Sequence, residues 1–248
     1  MNNAEFEFNC AFGFPVNYKG LDIYPVRMKD SLKFEKYITC LLLDKNQSRD
    51  INIIKMSNLR FIMFLFHCDN KNYGFLIEYF EKLIDLVFKE KVIFKEKKGS
   101  LYFSIKDIEL HENELDKIKE IIFNQNLLKL PEKIEDSELE KSLREAKEFM
   151  AARNKSATLE ERIISYHIST GINYNNISEL TIYQFNKGIE RLNLLKDFEV
   201  YTYPALKGGQ GEKIKHWLSH IPEKGLYDDV CMSVDELKNN LGDSANYV

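Results

Sequence analysis

The chain has 248 residues, of which 44% are hydrophobic and 30% charged, and it carries a net charge of −4. That balance fits a folded globular protein with a sizeable core in one large domain or two small ones, and excludes a disordered chain. It also argues against a general nucleic-acid binder, which needs a concentrated basic face to neutralise phosphates.

Met1 to Glu7 has neither the basic stretch nor the apolar run of a signal peptide. The most apolar run, Phe61–Phe66, is far shorter than the ~20 residues that span a bilayer. An intracellular, soluble protein is the expectation. Phe12 to Val26 reads as a hairpin, with Phe14–Tyr18 and Leu21–Tyr24 flanking the turn signal Lys19-Gly20. Pro15 and Pro25 confine both arms to sheet edges, because neither nitrogen can donate to a ladder. Asp30 or Ser31 then caps a helix running to about Leu43, with Phe34, Tyr37, Ile38 and Leu41 on its face. A polar loop covers 45–50. Ser57 caps the next helix, apolar nearly all round as far as His67, which is the pattern of a buried helix. A third spans about Tyr73 to Lys89, with Leu76, Phe80, Leu83 and Val87 at helical spacing. Val92–Phe94 and Leu101–Ile105 bracket Lys95–Ser100 as the clearest hairpin in the chain. Together these elements predict a small α+β unit whose two hairpins share one sheet.

From Glu112 the pattern turns helical and highly charged, with a weak stripe of Ile118, Ile121 and Ile122 and a break at Pro131. Ser137-Glu-Leu-Glu140 has capping-box spacing, and Leu139, Leu143, Ala146 and Met150 follow at i, i+4, i+7 and i+11. Glu140 and Arg144 stand in the favourable i,i+4 order. Thr158-Leu-Glu-Glu161 is a further capping box, and Leu159, Ile163, Tyr166 and Thr170 form one helical face that Gly171 closes. A second start lies at Thr181-Ile-Tyr-Gln184, leading into Ile182, Phe185, Ile189 and Leu192. Beyond Leu195 the pattern allows a strand through Phe198, Val200 and Tyr203 or a helix continuing to about Tyr203. With no partner strand nearby the helix is expected. After the break at Gly208–Gly211, Lys213 to Ile221 predicts a short helix bearing Trp217, ended by Pro222. A last capping box begins at Ser233. The predicted class is thus α+β, mostly α: N-terminal hairpins with helices over 1–110, a charged helical connector over 111–157, and a helical bundle over 158–248.

Residue chemistry points to no catalytic motif, cofactor or metal. His216 and His220 share the i,i+4 spacing of metal sites, yet Glu212 is the sole ligand type nearby. Lys207-Gly-Gly-Gln-Gly-Glu-Lys213 lacks the spacing and the Ser/Thr of a phosphate loop, and reads as a hinge. The helix–turn–helix pattern from Thr158 carries too little net positive charge to read DNA. Cys10, Cys40, Cys68 and Cys231 are widely spaced without a CxxC pair, the pattern of reduced and mostly buried thiols.

Several stretches have a familiar wording. Phe14-Pro-Val-Asn-Tyr-Lys-Gly-Leu-Asp-Ile-Tyr-Pro-Val26 and Cys40-Leu-Leu-Leu-Asp-Lys-Asn46 resemble proteins from tail-gene modules of phages and prophages of low-GC Gram-positive bacteria. So do Leu159-Glu-Glu-Arg-Ile-Ile164, Ile189-Glu-Arg-Leu192, Val200-Tyr-Thr-Tyr-Pro-Ala205 and Lys215-His-Trp-Leu218. Leu180-Thr-Ile-Tyr-Gln-Phe-Asn186 is similar to a helix start of tail-assembly chaperones, and Lys207–Gly211 departs from the Ser-Gly-Met turn of some related sequences. The resemblance implies a non-enzymatic tail-assembly protein, chaperone-like, with tape-measure or tail-tube subunits as partners and self-association left open. The net charge and the shortness of the Phe61–Phe66 run leave no role with nucleic acid or membrane in the expectation. The setting is the host cytoplasm during assembly or the virion tail itself. The alternatives are a structural virion tail component and a phage-encoded enzyme with an unrecognised active site. Tyr201, Tyr203 and Trp217 beside the glycine hinge are the expected partner contact, or else an interior cluster.

Overall fold

The computed structural model of the chain describes residues 3–45, 48, 50–97, 99–129, 137–153, 157–206 and 216–221. Helix α1 (Asn3–Phe12), an element the sequence reading leaves unassigned, opens the chain. Gly13, with φ of 72°, closes it: the Gly13 amide reaches the Cys10 carbonyl and the Phe14 amide the Asn9 carbonyl at 2.8 Å. Strands β1 (Val16–Tyr18) and β2 (Leu21–Ile23) pair antiparallel around Lys19-Gly20, as their sequence predicts.

After a 3-10 turn at Met28–Asp30, the helix expected as far as Leu43 comes as two, α2 (Ser31–Tyr37) and α3 (Thr39–Leu42). At the break the Thr39 hydroxyl donates to the Lys36 carbonyl at 2.7 Å, a local bond that competes with the helical ladder. A one-turn helix, α4 (Ile51–Ile54), follows the polar loop. Next come α5 (Asn58–Cys68), capped by Ser57 as expected, then α6 (Asn70–Tyr73) and α7 (Phe75–Phe88). The chain continues through β3 (Val92–Lys97), β4 (Ser100–Ile105), β5 (Ile108–His111) and α8 (Glu114–Gln125).

Two expectations change here. The hairpins do not share a sheet: β1–β2 stands alone, and β3-β4-β5 forms a separate antiparallel meander. The reason is that β2 leads into a helix rather than a strand, the Tyr24 amide donating to the Val87 carbonyl of α7 at 2.7 Å. Nor is α5 buried all round. Leu59, Phe61 and Ile62 face the core, while Met63, Phe64, Leu65 and Phe66 stay partly exposed because the chain covers one side of the helix.

The first core gathers β2, α2, α3, α5 and α7 around Phe80, Phe103, Leu83 and Ile84. It extends past residue 110, since Leu115, Ile118, Ile122 and Phe123 of α8 belong to it. Further on lie α9 (Ser137–Arg153), α10 (Leu159–Thr170), α11 (Tyr174–Glu179) and α12 (Ile182–Leu206). The continuing-helix reading beyond Leu195 is the one observed. Residues 216–221, by contrast, are a turn and not the predicted helix, with the Ser219 amide on the His216 carbonyl at 2.8 Å. The glycine hinge at 208–211 and the capping box at Ser233 lie outside the described residues.

A second, small core joins Met28, Tyr166, Ile177 and Phe185. One strap ties the two cores together. Met28 donates to the Leu180 carbonyl and Ile182 to the Val26 carbonyl, both at 2.8 Å, so Arg27 and Thr181 face each other as an antiparallel bridge. Beside it Glu179 holds Arg27 and, at 2.6 Å, Lys29.

Candidate interaction surfaces

An apolar surface forms where α10, α11 and α2 meet. Thr158 fixes the start of α10 reciprocally: its hydroxyl accepts from the Glu161 amide at 3.2 Å, and the Glu161 carboxylate accepts from the Thr158 amide at 2.7 Å. Those hydrogen bonds hold the Glu161 carboxyl below its usual range. The same reciprocal box fixes α12, Thr181 and Gln184 exchanging bonds of 2.9 and 3.1 Å. Tyr166 then turns inward against Phe185, ring centroids 5.2 Å apart. Gly188 lets α10 come this close, because a Cβ there would lie 2.8 Å from the Tyr166 hydroxyl oxygen.

Fixing Tyr166 inward aims Ile164 and Ile168 outward, and Ile168 is 75% exposed. Asn173 caps α11 by accepting from the Asn176 amide at 2.9 Å. Tyr174 packs against the His167 ring at 4.3 Å, while His167 Nδ1 meets the Ile172 carbonyl at 2.8 Å. Leu32 of α2 completes the wall. The result is an open groove of about 590 Å³ lined by Leu32, Leu159, Glu160, Ile163, Ile164 and Tyr174. Five of those six side chains are apolar or aromatic, so the groove suits an apolar stripe and not a polar metabolite.

A second cleft of about 510 Å³ lies between α5 and the β3–β4 hairpin, walled by Met56, Met63, Phe64, Phe94 and Leu101. Beneath it Glu112 is buried and fully engaged. Arg60 Nε and Nη2 donate to it at 2.9 and 2.8 Å, and the Ser57 hydroxyl at 2.8 Å. The Arg60 hydrogen bonds, helped by Ser57, hold its carboxyl below the usual range. This carboxylate ties α5 to the β5–α8 junction.

The sequence-predicted contact residues are placed as follows. Tyr201 is 56% exposed on α12, Trp217 is half-buried in the turn, and the Tyr203 side chain lies outside the described set. The ring neighbour of Trp217 is His216 at 6.0 Å, which in turn meets Phe198 at 5.1 Å. Arg191 Nη1 holds this turn onto α12 through the Trp217 and Ser219 carbonyls at 3.2 and 2.6 Å. The groove residues Leu32, Ile164 and Tyr174 escaped the sequence reading. Its one available signal was Ile164 and Ile168 at i,i+4, a second stripe beside the one that was read.

Among the described residues no three His, Cys, Asp or Glu side chains gather as a metal set, and no helix is long and apolar enough to cross a membrane. Cys10 and Cys40 are buried and Cys68 is exposed. Burial, with Glu7 nearby, pushes the Cys10 thiol up to about 11, and burial pushes Cys40 up to about 12. Iodoacetamide near pH 8 is therefore expected to label Cys68 at once, and Cys10 and Cys40 only on unfolding. Peptide mapping with and without denaturant checks this.

Residues 152–222 match the family model described as YomV second domain, a family derived from a Bacillus prophage. The match supports a phage protein. It covers α10, α11 and α12, and with them every groove residue except Leu32. Neither the curated proteins nor the solved structures give a match.

Proposed function

We propose that this protein is a non-enzymatic factor of phage tail assembly, chaperone-like, that holds apolar stripes of tape-measure or tail-tube subunits in the host cytoplasm. The observation carrying the proposal is the open apolar groove of α10, α11 and α2, built largely from the segment that matches the phage-derived family. Amphipathic helices present anchors at i, i+3, i+4 and i+7, and a groove walled by Leu32, Ile163, Ile164 and Tyr174 accepts such a row. Tyr201 and Tyr203 of α12, with Trp217 of the turn that Arg191 holds, are proposed as an accessory contact.

Co-expression with the neighbouring tape-measure and tube proteins tests the reading. Soluble tape-measure fragments are expected only with this protein present. Leu32 and Ile164 are 69% and 39% exposed, so the double variant Leu32→Asp/Ile164→Asp is expected to keep the fold, which circular dichroism checks. It is expected to lower recovery of the complex at least about tenfold, the equivalent of roughly 1.4 kcal/mol. If neither partner binds and the protein is found in purified particles, a structural place in the virion tail replaces the chaperone reading.

A further inference from the structure

The first helix carries a feature that the groove does not use. Phe8, Phe12 and Phe14 are 55%, 59% and 49% exposed, yet they pack against one another, Phe8 and Phe12 tilted with ring centroids 4.6 Å apart and Phe12 and Phe14 stacked at 5.7 Å. The opposite face of α1 is fixed. Cys10 is fully buried, and Gln184 Nε2 of α12 donates to the Ala11 carbonyl at 2.9 Å. The ridge is thus held at a set orientation. Helix closure at Gly13 explains the approach of Phe14 to Phe8, since that motif brings an apolar residue back over the last turn. It leaves unexplained why three large rings stay half in water, in a contiguous apolar patch of a size that often marks a functional surface.

We infer that this ridge docks a short amphipathic segment of a partner whose apolar stripe is flanked by Lys or Arg. Area and charge select that occupant. Each phenylalanine side chain offers roughly 150–250 Å², so three rings at about half exposure present about 300 Å². A stable dimer needs about 800 Å² from each partner, so a second copy of this chain is disfavoured and a short segment fits. The charged side chains of α1 are Glu5 and Glu7, both exposed carboxylates, and the helix carries no Lys, Arg or His. They complement a basic flank and repel an acidic peptide or an anionic lipid surface. No lining residue of the groove lies on α1, so this surface stands apart from the proposed chaperone site.

Two short helical peptides with one leucine stripe, flanked in one by Lys and in the other by Glu, are titrated against the full chain by fluorescence anisotropy at low salt. The Lys-flanked peptide is expected to bind at least about tenfold more tightly, with affinity falling as salt rises. Phe8→Ser and Phe12→Ser should each weaken it about tenfold. Glu5→Gln/Glu7→Gln leaves the apolar ridge intact and should reduce the preference for the Lys-flanked peptide. The groove also takes apolar stripes, so the titrations and the phenylalanine and glutamate variants are made on the Leu32→Asp/Ile164→Asp chain, where binding reports the ridge alone and failure of the ridge is separate from failure of the groove. Equal affinity for the two peptides overturns the inference. So does binding that survives Phe12→Ser, or a dimer in light scattering that Phe12→Ser abolishes.

Discussion

Phe185→Ala is expected to unhinge α10–α12 while leaving the first core folded. Phe185 is fully buried, and the core it belongs to has three other buried members, Met28, Tyr166 and Ile177. Its ring meets the tilted Tyr166 ring at 5.2 Å and the Arg162 guanidinium at 5.7 Å, both from α10. Truncating a buried phenylalanine costs about 3–5 kcal/mol. Among the described residues that core has four buried members, ringed by partly buried side chains such as Ile163 and Ile189, so few fully buried contacts remain to absorb the loss. The first core, with Phe80, Phe103 and Phe123 all fully buried, makes no use of Phe185. Hydrogen exchange should therefore show lost protection in α10, α11 and the first turns of α12, with α7 and β4 unchanged. Phe185→Leu, nearer in volume, should cost less than about 1.5 kcal/mol. Simultaneous loss of protection in both cores would show instead that the strap at Arg27–Thr181 couples them into one cooperative unit.

What the sequence made legible were the elements whose ends carry their own chemistry. Ser57, Thr158 and Thr181 announce helices through hydroxyls placed three residues before the amides they accept from, and each is observed doing so. Gly171 closes α10 for a local reason as well, at φ of 72°. Elements of four to ten residues were harder to see: α1, α4, α11 and β5 are too short to be stable alone and owe their form to packing. The candidate groove was illegible for a different reason. Leu32 and Ile164 lie far apart in sequence and meet only because the strap joins the cores, and no spacing rule reports such a meeting. The resemblance pointed to a phage setting, which the family match supports, but neither it nor the periodicity distinguishes the inward Tyr166 stripe from the outward Ile164–Ile168 one.

Glu112→Ala should cost the first core about 2–3 kcal/mol, the loss of charge-assisted hydrogen bonds from a buried site. The Glu112 side chain is 9% exposed, and its removal strips the acceptor from two Arg60 nitrogens and from the Ser57 hydroxyl that caps α5. Arg60 is 40% exposed and can recover water, which keeps the cost below that of stranding a fully buried charge. The pH dependence identifies the source. The folded carboxyl is held below the ordinary value of 4.5 by Arg60 and Ser57. The stabilisation is therefore complete above the unfolded value and disappears as pH falls through the folded one. Glu112→Gln keeps the shape and one acceptor but cannot ionise. The stability gap between wild type and Glu112→Gln, measured by urea unfolding, should be widest near neutrality and shrink as pH drops below about 4. The gap is the diagnostic quantity, because Glu78, Glu109 and Glu179 are also held low by lysine or arginine partners and contribute equally to both proteins. Curves that stay parallel down to pH values where every carboxylate is protonated would assign the loss to side-chain shape, leaving the Arg60–Glu112 charge pair without a stabilising role.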